Sequence, residues 1–469
     1  MFERLDALKP ALKKLIAALR GEFAYASVLA TDERYRMWRV SKNGISISSE
    51  GDGGYGFVIR VFDETGCAEY SINAFSEERI PEIVKELRAR VRMERAALPE
   101  DVTPMPAAIP DDSPAVLKKE AKFEIDPMEV GDEEILARIA RIREEGLKAE
   151  GVMDISCNVT TCAERKLFLS EHRDLDESHM WTTAYVAAIG ARGEEIKDSY
   201  KGYSLLGGAE LLKEVENDID HVTSHLKDLL ASEPMVPGEY DCVCDPDTTG
   251  MIVHEAFGHG VEMDMFVKDR AQAKQFIGQY VASPLVTMHD GSAVEECATW
   301  AFDDEGTLTG DTVIIDKGVL RRGMCDALSA SRLGVKPTGN GRRESYERKA
   351  YTRMTNTYFE GGDSTKEEMI ASIDYGFLLE EPTSGMEDPK NWGIQCMVNI
   401  AREIKDGELT GRVFSPIVLT GYVPDLLKSV SMMGKDIKLE GGGYCGKGYK
   451  EWVKVSDGGA YMKARIRLG

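Results

Sequence analysis

The sequence predicts a two-domain α+β fold, with an α/β domain over residues 1–230 and a mostly-β domain over 231–469. Three observations predict it. Helix-period and strand-period patterns run through the first 230 residues in the same order twice. A proline-bearing polar stretch at 231–240, ASEPMVPGEY, then interrupts them. Beyond it the texture changes to short alternating runs broken by turns, which reads as a β-rich unit carrying a few helices.

Taken in order, 5–19 reads as an amphipathic helix whose charged and apolar residues alternate, without the unbroken apolar core of a signal peptide. The run MWRVSKNGISIS (37–48) predicts two strands about an Asn43-Gly44 turn. YGFVIRVF (55–62) alternates, a turn follows at 63–66, and a second helix spans 76–97. After a proline-rich break at 99–114 the order recurs: a helix over 133–150, strands at 153–159 and 166–169, a long alternating run at 181–200, and a helix over 209–230. This predicts a duplicated helix-strands-helix unit. In the second half TVIIDKGVLRRG (312–323), TRMTNTYFEGG (352–362), NWGIQCMVNIAREIKDGELTG (391–411), VFSPIVLTGY (413–422) and EWVKVSDGG (451–459) read as strands and their turns.

Composition narrows the function classes. With 81 acidic against 58 basic residues the formal charge is −23, a field that repels a polyanion, so direct nucleic-acid binding is not expected. The densest basic runs, 88–95 and 342–349, are interleaved with acids. Nine scattered cysteines, odd in number, suit reduced thiols in the cytoplasm better than a disulfide framework. No stretch is long and apolar enough to span a bilayer, so no membrane role is expected.

The strongest chemical signal is TTGMIVHEAFGHGVEM (248–263), in which His254, Glu255 and His259 fall within six residues. Imidazole suits Zn²⁺, and a Glu beside a ligand can take a proton from water. The spacing is unusual. Histidines at i and i+5 stand about 140° apart on a regular α-helix and cannot meet at one ion. A π-bulge would bring them to one side. Gly258 would ease such a distortion and Gly260 could end the helix. A catalytic zinc takes a third protein ligand, for which Glu262, Asp264 and a distant cysteine are the candidates.

The stretch EGGGYCGKGYK (440–450) bears on that choice. Its glycines and Lys447 resemble part of a phosphate loop, but Gly448 stands where Ser or Thr is needed, and the following residues alternate like a strand. A glycine-rich turn presenting Cys445 as a thiolate is the other reading, with an ordinary turn cysteine as its rival.

HEAFGHGVEMD (254–264), FDDEGT (302–307), PTGNGRRESY (337–346), RMTNTY (353–358) and GYCGK (443–447), in this order, closely resemble the TldD/PmbA family, and within it the active TldD-type members. The resemblance implies that His254, His259 and Cys445 bind one Zn²⁺ per chain and that Glu255 is the catalytic glutamate. It also implies a peptidase for unfolded or extended peptides, acting in maturation or degradation of small ribosomally made peptides. The expected assembly is a dimer, with a second copy or with a PmbA-type paralogue. Two departures are expected to reshape the cleft: Met263 where relatives often carry glycine, and the segment 383–395.

The remaining candidates are weaker. Arg353, Asn356 and Thr357 lie on an expected strand, where they either line a substrate groove or make strand-stabilising contacts. His221 and His225 share a helix face at i, i+4, read as solvated among acids. Cys242 and Cys244 point to one side of a strand as a buried pair. His289 has no assigned role. The rival to a peptidase is a non-catalytic zinc-containing peptide-binding or regulatory subunit, in which Glu262 or Asp264 would close the metal site. A regulator of a DNA-acting protein is disfavoured by the net charge.

Overall fold

The structure, a computed structural model, describes residues 2–49, 54–63, 66–97, 109–448 and 450–469. Residues 99–108 of the proline-rich break, and Glu64 and Thr65 of the turn expected at 63–66, lie outside the described residues.

The first half is one large sheet backed by helices. Its elements are α1 (Glu3–Arg20), β1 (Tyr25–Ser41), β2 (Gly44–Ser49), β3 (Gly56–Asp63), β4 (Gly66–Ile72) and α2 (Ile80–Ala96). There follow β5 (Ala115–Lys119), α3 (Pro127–Val130), α4 (Asp132–Gly146), β6 (Val152–Leu169), β7 (Arg173–Arg192), β8 (Glu195–Leu205), α5 (Leu212–Asn217) and α6 (Ile219–Leu230). The repeated order is realised in space. β1 and β6 form the central antiparallel pair, with β3 and β4 outward on one side and β7 and β8 on the other. Three expectations are corrected. The runs at 153–159 and 166–169 are the single strand β6, because β1 and β7 pair with it on both sides and satisfy the polar residues between. The helix over 209–230 breaks at Asp218, whose φ of −125° is not helical. The first hairpin turns on Lys42 and Asn43, with Ser41 paired to Gly44.

Strand alternation sorts the two faces of this sheet. Along β1, Ala26, Val28 and Ala30 pack with Leu5, Leu12, Ile83 and Leu87 of α1 and α2. Trp38 and Val40, on the same face, pack with Ile135 and Ile139 of α4 and Val222 and Leu226 of α6. The odd-numbered residues of β1 turn the other way, toward the second half of the chain: Leu29 joins a cluster with Phe302, while Tyr35 and Met37 line a cleft.

In the second half, β9 (Gly238–Cys244) opens a closed ring of five strands. Tyr375–Asp388 pairs with β9, β9 with Met462–Leu468, that strand with Ile417–Tyr422, then Gly393–Lys405, which returns to Tyr375–Asp388. Beside it a six-stranded sheet is built around Met288–Gly291, Asn356–Phe359 and Ser456–Gly459. The largest core cluster fills the space they share and includes Cys242 and Cys244, buried on the same side of β9 as expected.

FDDEGT docks the second half onto the sheet. Asp303 accepts from the Glu305 and Thr307 amides and folds the loop. Phe302 then packs on Leu29, Val58, Phe168 and Leu175. Asp304 pairs with Lys166 at 2.8 Å, Glu305 with Arg60 at 2.5 Å, and Arg173 donates to the Gly306 carbonyl at 2.6 Å. Buried pairs of this kind fix register more than they add stability. Gly306 sits at φ +79°, and a Cβ there would fall into the Phe168 ring. Gly306→Ala is therefore expected to destabilise the chain by about 2–4 kcal/mol, through strain and overpacking together. Urea denaturation followed by tryptophan fluorescence checks this.

Candidate functional site

After β9, Asp245 caps the short helix α7 (Pro246–Met251) by accepting from the Thr248 amide, and the backbone continues as a π-helix over Ile252–Gly258. The His259 amide donates to the His254 carbonyl, an i→i+5 bond, so one extra residue is absorbed in the turn. Histidines five apart thereby come to one side. Their ring centroids lie 5.1 Å apart at 88°. Gly258 has ordinary helical angles, so its contribution is space: a Cβ would run into the Met354 sulfur. Gly260 does not end the helix, which runs on as a 3₁₀ turn to Val261 and stops at Glu262.

Cys445 stands on a short hairpin, Tyr444–Lys447 with Lys450–Lys454, and its Sγ meets both rings: 3.2 Å to His254 Nε2 and 3.4 Å to His259 Nε2. One donor atom from each of the three residues lies within 4.8 Å of the others. On a tetrahedral zinc a thiolate and an imidazole nitrogen are about 3.5 Å apart, so this donor set fits that ion. Burial alone would push the Cys445 thiol up, but hydrogen bonds to His254 and His259 overcome it and bring it down to about 5. The Glu255 carboxylate approaches His259 Nε2 at 3.9 Å, and burial raises its pKa despite the neighbouring rings.

A layer of charged groups fixes these side chains. His259 Nδ1 lies 3.3 Å from Glu262 Oε2. Lys447 reaches Glu262 at 3.1 Å, Asp264 at 2.8 Å and the Thr352 carbonyl at 3.0 Å. Lys447 is thus a structural cation, and the strand after it offers no helix N-terminus for a phosphate. Glu262 and Asp264 are held by it outside the donor group, so neither takes the closing position considered for them. Arg353, fully buried, donates to the Cys445 carbonyl at 2.7 Å and to the Glu451 carbonyl, with Nε 3.4 Å from Glu262. Asn356 bonds to Val294 and Thr299, and Thr357 to Asp290. The substrate-groove expectation for Arg353, Asn356 and Thr357 is therefore corrected: all three are buried framework groups with internal partners.

Beside the donor group lies a cleft of about 630 Å³, walled by the odd-residue face of the first-half sheet on one side and by the second half on the other. Glu255 and His254 border it, as do Thr383, Ser384 and Gly385 of the departing segment 383–395. Met263 does not: its side chain packs in the core. His221 and His225 border the cleft too, facing Glu381 rather than a solvated surface, which corrects that reading. His289 is a framework group, stacked on Tyr358 and 2.8 Å from Asp311. Two residues escaped the sequence reading. Asp457 Oδ2 lies 3.5 Å from His254 Nδ1, and burial raises its pKa to about 6. Glu387 accepts from the Gly260 amide at 2.8 Å. Both arrive from strands far along the chain, with no local spacing to betray them.

In metal-free protein, Cys445 is expected to be alkylated by iodoacetamide at pH 6 ahead of Cys157 and Cys396, whose thiols burial raises to about 12. Its reactivity should fall as pH drops through about 5, where the thiolate takes up a proton. In His254→Ala the same fall should occur at higher pH. Peptide mapping by mass spectrometry over pH 4–9 reads both.

Residues 237–459 match the PmbA/TldA metallopeptidase C-terminal domain. A metalloprotease of Methanothermobacter thermautotrophicus is 30% identical over 321 residues, 67% of this chain and 69% of its own. A zinc metalloprotease TldD homolog of Saccharolobus solfataricus is 28% identical over 260 residues, 54% of this chain and 57% of its own. Among solved structures, TldE from Thermococcus kodakarensis superposes with a TM-score of 0.74 at 18% identity, covering 98% of this chain and 100% of that one; the likeness is one of fold.

Proposed function

The chain belongs to the PmbA/TldD metallopeptidase family, and on that footing we propose that it is a zinc-dependent peptidase in which His254, His259 and Cys445 hold the ion and Glu255 is the general base. The observation that carries this reading is the π-turn, which brings both imidazoles to the Cys445 thiolate while leaving Glu255 at the cleft wall. A zinc ion held by that donor set supplies Lewis acidity, acidifying water and polarising a scissile carbonyl. Glu255 takes the proton of the attacking water and returns it to the departing amine, and its raised basicity suits both steps. Asp457 and Glu262 orient His254 and His259 from behind. A thiolate ligand tempers the Lewis acidity, which favours selective processing over rapid general proteolysis.

The substrate is an unfolded or extended peptide. Tyr375–Asp388 is paired to β9 only over Gly376–Leu379, so the stretch beyond, where Gly385 packs on Glu255, can accept an added strand. The Asp247 and Asp457 carboxylates border the same cleft and favour peptides bearing Lys or Arg. The assembly is a dimer, with a second copy or a PmbA-type paralogue. The setting is the cytoplasm, and the role is maturation or degradation of small ribosomally made peptides.

Glu255→Ala is expected to lower hydrolysis of an unfolded peptide by about 10²–10⁴-fold, with zinc content unchanged. Chromatographic product analysis alongside elemental analysis checks this; a variant as fast as the native chain would remove Glu255 from the mechanism.

A further inference from the structure

The cleft holds a second set of ligand-type side chains that peptide hydrolysis does not use. His221 and His225 stand one turn apart on α6, their ring centroids 4.1 Å from each other. Glu381 reaches them from the strand Tyr375–Asp388, its Oε1 2.6 Å from His225 Nδ1. One donor atom from each of the three lies within 4.8 Å of the others. The geometry points to a second metal site at His221, His225 and Glu381, taking a divalent cation of the zinc class and bridging the two halves of the chain.

Four features argue for it. The i, i+4 spacing on a regular helix is the one that aims two imidazoles at a common ion. Glu381 is a non-glycine residue at φ +59°, next to a bulge at Pro382 and Ser384, a strained conformation of the kind that persists where a side chain must be aimed. Its carboxylate is oriented from behind: Ser199 Oγ donates at 2.7 Å and Asn399 Nδ2 lies 3.5 Å away, as supporting groups do for metal-binding carboxylates. Among the described residues neither ring nitrogen of His221 has a protein hydrogen bond, and its ring borders the cleft.

An entering cation replaces the direct contact between His225 Nδ1 and Glu381 Oε1. Two imidazoles with one carboxylate suit Zn²⁺ or Co²⁺ rather than the all-oxygen shells of Mg²⁺ or Ca²⁺. The site is separate from the first: the two donor groups share no side chain, and each forms a set of its own. Its ion would tie α6 to the ring of strands and fix the width of the cleft, whether or not the chain hydrolyses peptides.

The test is Co²⁺ titration of the full chain, tag-free and stripped by chelator. Co²⁺ is chosen because thiolate ligation gives a charge-transfer band that nitrogen and oxygen ligation does not. The native chain is expected to take two ions, one with the band and one without. His221→Ala/His225→Ala should take one ion and keep the band, which also certifies its fold. Glu381→Gln, a milder change, should weaken the bandless ion by roughly tenfold or more. Cys445→Ser should lose the band and still bind the second ion. A native chain taking one ion, or a double variant still taking two, would overturn the proposal.

Discussion

Everything at the donor site depends on one backbone constraint, the extra residue absorbed between Ile252 and Gly258. A regular helix would send His254 and His259 to different faces. The π-turn is enclosed by close approaches: Met354 against Gly258, Glu387 at Gly260, and Gly385 against Glu255. Cys445 must then be delivered to the same point from nearly 200 residues downstream. Arg353 does so through the Cys445 carbonyl, and its charge is matched by Glu262, which also positions His259. Two cations, Arg353 and Lys447, face two anions, Glu262 and Asp264, so the buried layer is close to neutral.

The second constraint is the docking of the two halves. Because β1 alternates, one face of its sheet is closed by helices and the other is left to receive the second half. FDDEGT makes that junction with Asp304 and Glu305, while Asp303 folds the loop that carries them. Its acids hold the two halves in register, and the cleft is the space that this register leaves between them.

Local patterns in the sequence carried much of this. The duplicated order, the β-rich second half and the histidine motif all follow from periodicity and spacing, and the i, i+5 separation pointed to a π-bulge as a way to bring both rings to one ion. What could not be read locally was partnership across the chain. Arg353, Asn356 and Thr357 look like groove residues because their motif is polar, yet burial turns them into framework. His221 and His225 look solvated because acids flank them in sequence, and only the fold brings Glu381 opposite. β6 looks like two strands because its middle is polar, and pairing on both sides unites it.

The most direct measurement of the central claim is an anomalous difference map at the zinc edge from crystals of the zinc-loaded chain. The expected result is a peak bonded to His254 Nε2, His259 Nε2 and Cys445 Sγ, at about 2.0–2.1 Å from each nitrogen and 2.3 Å from sulfur. A regular α-helix through 252–258, with the two rings on different faces and no density between them and Cys445, would contradict it.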